Sequence, residues 1–201
     1  MKIKFLFILT IFIFSFSNAQ ENNKENGDWF ANANIGFTQI EIKNLGTYNG
    51  FVFANNIGKE FLFKKNSSLL VGIEFQNIYY DFHSNNSHFH SQNTFVKIPI
   101  NYRYTSNRNA NTSIFVDFGL YGSLLTKNRT DSDLLSESGS NLGSNFGLNF
   151  GFGLSQKIND FINFKISINT QSDLIQNYKK ENNEIKIKNL YGISFGIGIQ
   201  L

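Results

Sequence analysis

Apolar and polar residues alternate with a period of two along most of this chain. The final stretch, from Asn189 to Leu201, shows it most plainly: Tyr191, Ile193, Phe195, Ile197, Ile199 and Leu201 fall on one face of a strand. Gly192, Ser194, Gly196, Gly198 and Gln200 fall on the other. A soluble strand with one wet face usually carries bulky polar or charged groups there. A face of glycine and serine opposite an unbroken apolar face fits a strand with lipid on one side and a crowded lumen on the other. Eight such segments are predicted, near 29–42, 51–63, 69–81, 94–104, 113–125, 144–155, 161–173 and 190–201. Each is long enough for a tilted membrane strand, which takes about 9–11 residues.

In the third segment Leu69, Val71, Ile73 and Phe75 oppose Gly72, Glu74 and Gln76. In the fourth, Val96, Ile98, Ile100, Tyr102 and Tyr104 oppose Lys97, Pro99, Asn101 and Arg103. The fifth, sixth and seventh repeat the arrangement around Phe118, Phe150 and Phe164. The first two are irregular. Gln39 and Glu41 break the face of the first, and Asn55 and Lys59 interrupt the second. Either a bulge switches the phase, or Lys59 snorkels toward the membrane surface. The expected fold is a single antiparallel, all-β, up-and-down transmembrane barrel of eight strands over residues 28–201, or of ten if a long loop holds a further hairpin.

The connections point the same way. Lys64–Ser68 and Gln156–Asp160 are tight turns, while Phe82–Asn93, Thr126–Gly143 and Leu174–Asn189 are expected to be long polar loops. Outer-membrane barrels keep short turns in the periplasm and long loops outside. Lys43–Gly50 is short for an outer loop, and Thr105–Thr112 is long for a periplasmic turn. The loop from Lys127 to Gly143 is polar apart from Leu134 and Leu135, and is a candidate contact for a partner.

Composition narrows the picture. Lys2 and Lys4, the apolar run Phe5–Phe16 and the small residues Ser17 and Ala19 read as a secretory signal over residues 1–19, which implies export through the Sec pathway. A short polar segment, 20–27, follows. The apolar run is too short for a spanning helix, and no later stretch is long and apolar enough for one. The chain has no cysteine, which removes disulfides, thiol catalysis, cysteine metal sites and a lipid-modified N-terminal cysteine. Without Lys2 and Lys4 the chain has 16 basic against 15 acidic side chains, which gives no reason to expect nucleic acid as a partner. Phe is frequent, at 23 of 201 residues, and Pro occurs once, a balance that favours strands.

Strand parity turns Glu60, Glu74, Asp117, Lys97, Arg103 and Lys165 inward. Isolated charges in a dry interior are costly, so a paired lumen network is expected. An eight-stranded barrel is just wide enough for its own side chains. A packed polar plug is expected, with a proton path or small-solute channel as the other reading.

At Val96–Tyr104 the run VKIPINYRY resembles the Ile-Pro strand of the outer membrane beta-barrel domain family of Bacteroidetes, which includes PorT-like proteins. IFVDFGLYGSLLT (114–126), NFGLNFGFGLSQKI (145–158) and YGISFGIGIQL (191–201) resemble later strands of that family. Lys97 stands where the family usually has an acidic residue, and the chain ends in Leu201 where barrels read by the insertion machinery often end in an aromatic. The resemblance covers most of 28–201. It implies an outer-membrane barrel seated in lipid, placed there by the insertion machinery, with a partner in the cell envelope and, by analogy, an accessory role in a secretion or gliding system. It implies no catalytic residue and no cofactor.

All three histidines lie in one segment, as His83, His88 and His90. Their spacing could gather imidazoles around zinc or copper, with Asp81 the nearby carboxylate; solvated loop histidines without a metal are the expectation. Ser84, Ser87 and Ser91 lie beside them, and a lipid-modifying enzyme using Ser, His and an acid is one alternative function. A soluble periplasmic, lipocalin-like lipid binder is another. It predicts apolar residues inside, opposite to the final strand.

Overall fold

The computed structural model describes residues 27–43, 45–84, 87–132, 136–178 and 185–200. Eight strands form one closed barrel: β1 (Trp29–Ile42), β2 (Gly46–Lys64), β3 (Ser67–Ser84), β4 (Ser87–Thr105), β5 (Thr112–Ser132), β6 (Ser136–Lys157), β7 (Ile162–Tyr178) and β8 (Ile185–Ile199). Every neighbouring pair is antiparallel, and β1 closes on β8 with Trp29 opposite Ile199. Closure leaves no strand edge unpaired, which a chain in lipid requires. The expected signal segment and residues 20–26 lie outside the described residues.

An apolar belt surrounds the barrel. Phe37, Phe51, Ile73, Ile98, Phe118, Phe150, Ile168 and Phe195 all point outward from it. Aromatic side chains mark its rims: Trp29, Phe63, Tyr102 and Tyr104 toward the turn end, Phe37, Phe51, Tyr79 and Tyr191 toward the hairpin end. This is the arrangement of a barrel crossing a bilayer, and the reverse of the inside-apolar belt that a lipocalin-like binder predicts.

The expectation of long polar loops is corrected. The long polar segments are mostly strand, not loop. β3 and β4 run on until Ser84 pairs with Ser87, and β5 and β6 until Asp131 pairs with Ser136. Leu134 and Leu135 lie outside the described residues. The connections are therefore short at both ends, and strands of up to 22 residues overhang the belt at one end only. Polar strands pair there because backbone hydrogen bonding needs no apolar face.

The irregular faces of β1 and β2 contain no phase switch either. Their pairing runs unbroken from Ile42 opposite Gly46 to Trp29 opposite Lys59. Gln39 stays outward, and Ile40 and Ile42 stay buried inside. The environment inverts instead of the chain: past the belt the outer face meets water and the inner face is dry. Lys59 lies over Trp29 and Phe61, at 5.8 and 5.6 Å from their ring centroids, so its stem crosses the belt's rim as a cation–π contact.

β2 has one irregularity, at Phe63 beside its turn, and the bulges that switch phase sit at the hairpin-side rim, in other strands. Thr126 in β5 against β4, Leu174 in β7 and Lys188 in β8 are extra residues. Each reverses the phase of the strand beyond it. The β8 bulge leaves Lys188 and Asn189 both exposed and turns Ile187 and Ile185 inward.

Candidate functional site

The lumen is layered. At the turn end Glu60, wholly buried, is the hub of a charged layer. Its Oε1 accepts from Ser68 Oγ at 2.7 Å, and its Oε2 from Lys165 Nζ at 3.0 Å. Arg103 Nη1 stands 3.5 Å from Oε2. The same guanidinium grips Asp117 through two bonds of 2.7 Å and lies 4.0 Å over the Phe115 ring. Arg108 also donates to Glu60, and stands 3.8 Å from Asp28. Three carboxylates thus face three cations, which offsets the cost of taking all six from water.

Amide pairs form the next layer. Asn34 donates to Asn169 and Asn149 to Asn101, each at 3.2 Å. Above them Lys97, only 1% exposed, donates to Gln171 at 2.6 Å, stands 3.8 Å from Glu74 and lies 4.4 Å over the Tyr121 ring. Tyr121 Oη donates to Asp173 at 2.6 Å. Asp173 also accepts from Asn145 and from the backbone N–H of Ile187, each at 2.7 Å. Gly147 makes this possible, since a Cβ there would collide with the Tyr121 ring.

The hairpin end is sealed by apolar side chains. Ile40, Val52, Ile78, Phe95, Leu125, Ile187 and Leu190 pack into one cluster and are buried almost completely. Tyr48, Tyr80, Phe82 and Phe89 continue it, with Phe82 and Phe89 stacked at 4.9 Å. A cavity of about 320 Å³ opens at the turn end, among Asp28, Glu60, Arg103, Arg108 and Lys165. Between the charged layers the free space falls to about 60 Å³.

The six residues placed inward by parity are all inside, in two groups. Glu60, Arg103, Asp117 and Lys165 join the turn-end layer, and Glu74 and Lys97 the upper one. Sequence reasoning missed Asp28, Arg108 and Asp173. Asp173 shares the parity of Lys165 and was available to the same argument. Arg108 has no strand parity, because it sits in the 106–111 turn. That turn is long for its position because it folds Arg108 back to Glu60.

The histidines occupy the overhanging β3–β4 hairpin rather than a loop. His83 pairs with His88, and Asp81 with His90. His90 Nδ1 lies 2.6 Å from Asp81 Oδ1, and the rings of His88 and His90 are 4.5 Å apart. All three described side chains are exposed. Ser91 points the opposite way, buried against Thr130 Oγ1 at 2.6 Å, so it forms no nucleophile–base pair with these imidazoles. Ser84 and Ser87 pair with each other across the hairpin.

Residues 6–200 match the sequence profile of the family described as "Outer membrane protein beta-barrel domain". The fold is similar to that of Neisserial surface protein A, at 15% identity over 86% of this chain and 97% of that one, with a TM-score of 0.50. It is also similar to OprG of Pseudomonas aeruginosa (12% identity, 88% and 98% covered, TM-score 0.47) and to Ail of Yersinia pestis (13%, 88% and 99%, 0.44). At such identities the likeness concerns the fold alone. No curated protein matches the chain.

Proposed function

Because the chain belongs to the outer membrane protein beta-barrel domain family, we propose that it is a closed, non-conducting and non-enzymatic barrel that acts through its external hairpins. The observation that carries this reading is the filled lumen. A path from the turn end meets the Glu60 network, then the Lys97 and Asp173 network, then the apolar seal of Ile40, Ile78 and Phe95. An ion would have to displace paired charges and then cross a dry layer, which is a steep electrostatic barrier.

The overhang supports the rest. β1 begins and β8 ends at the turn end, the periplasmic end in barrels of this kind. β3–β4 and β5–β6 then reach furthest from the outer surface, where a partner in the cell envelope would find paired strands rather than loose loops. The IPINYRY strand adds the finer reading of a PorT-like accessory to a secretion or gliding system of Bacteroidetes. In that reading the signal at residues 1–19 directs Sec export, and the insertion machinery places the barrel in lipid.

The test is conductance across a planar bilayer. The folded protein should give no discrete steps. Reproducible single-channel steps from it would overturn the reading, while a Glu60→Ala variant that conducts where the parent does not would locate the barrier.

A further inference from the structure

The outer face of the β3–β4 hairpin carries an exposed cluster of Asp81, His88 and His90 that takes no part in closing the lumen. We propose that Asp81, His88 and His90 bind one divalent transition-metal ion of the zinc or copper class. The argument starts from register. Asp81 and His90 face each other across the strand pair, and His88 stands two residues from His90, hence on the same face. His83 holds the register position across from His88. The hairpin thus brings to one patch residues that are up to nine positions apart in the chain.

The side chains follow the backbone. One ligand atom from each of Asp81, His88 and His90 can be chosen so that all lie within 4.8 Å of one another. Ligands at zinc's usual bond lengths of about 2.0–2.2 Å lie roughly 3–3.5 Å apart. Exposed side chains cover that difference by small rotations. The bond of 2.6 Å between His90 and Asp81 keeps two of the groups together, and the pair would open by under about 1 Å to admit an ion between them.

The donor set selects the ion. Two imidazoles and one carboxylate, with no thiolate, suit zinc or copper, and suit calcium or magnesium poorly, since these prefer oxygen ligands throughout. Three protein ligands leave a fourth position to water. Asp131 stands in register with His90 on its other side, but it is paired with Arg129 at 2.8 Å. Bound metal would cross-link the two strands of the hairpin beyond the belt.

The test uses the full barrel, without a polyhistidine tag, folded in detergent and stripped with chelator. Isothermal titration with zinc chloride should show one saturable site per chain. His88→Ala and Asp81→Asn should each weaken it at least about tenfold, the lower end of what loss of a merely supporting partner costs a metal site. Copper should give nitrogen hyperfine structure in its electron paramagnetic resonance spectrum, lost in a His88→Ala/His90→Ala variant. The substitutions lie outside the belt, and heat-dependent gel mobility verifies that each variant is folded. No saturable zinc uptake by the parent, or equal affinity in parent and folded variants, would overturn the proposal.

Discussion

Glu60 shows how a single residue holds this molecule together. It is 0% exposed and meets Ser68, Lys165, Arg103 and Arg108, which come from β3, β7, β4 and the 106–111 turn. Removing one partner of a buried ion pair leaves the others uncompensated, at a cost of about 3–5 kcal/mol. Glu60→Gln should therefore lower stability by about that amount in urea unfolding from lipid vesicles, because three cations would then face only Asp28 and Asp117. An unchanged unfolding midpoint would mean that water, not Glu60, satisfies those cations. The inward position of Glu60 was legible from strand parity. Its partners were not, because they depend on which strands the barrel brings face to face. Lys165 is 105 positions away in sequence, and Arg108 reaches the hub only through the path of its turn.

At the scale of elements the deciding features are the rim bulges. Strict alternation continued past Tyr191 would put Ile187 and Ile185 on the outer face, in water. The extra residue Lys188 reverses the phase, so both pack inside against Leu190 and Ile40. The released Lys188 lies 3.6 Å from Glu41 on the neighbouring strand. Deleting Lys188 should turn those isoleucines outward and loosen the apolar seal. The expected readout is faster proteolysis within the hairpin-end extensions, with the belt region still protected. If the digestion pattern matches that of the parent, the bulge does not set the phase. The sequence placed the first strand from 29 to 42 as it is found, yet ended the third and fifth too early and began the fourth and sixth too late. Those strands lose their apolar face where they leave lipid, and a hydrophobic period of two vanishes with it. Backbone pairing between polar residues carries them further.

The whole molecule behaves as a closed hydrogen-bonded cylinder whose outer belt and inner layers are stabilised separately. The belt needs lipid or detergent, while the lumen needs only its own side chains. Folded protein should therefore run anomalously in detergent gels until boiled. A variant with Asp81–His90 replaced by a tight two-residue turn should keep that shift, since none of those residues reaches the belt. Loss of the shift in the trimmed variant would show that the overhang is part of the folding unit. The sequence by itself determined the membrane-barrel character, the places of eight strands and which residues of the belt face lipid. Those follow from local alternation, which lipid outside and a crowded lumen inside impose on every strand. Only the tertiary structure decided the sealed hairpin end, the division of the charges into two networks, the recruitment of Arg108, the partners of Asp173, and the meeting of Asp81 with His90. Each of these depends on register between strands or on the path of a turn, and alternation along one strand contains neither.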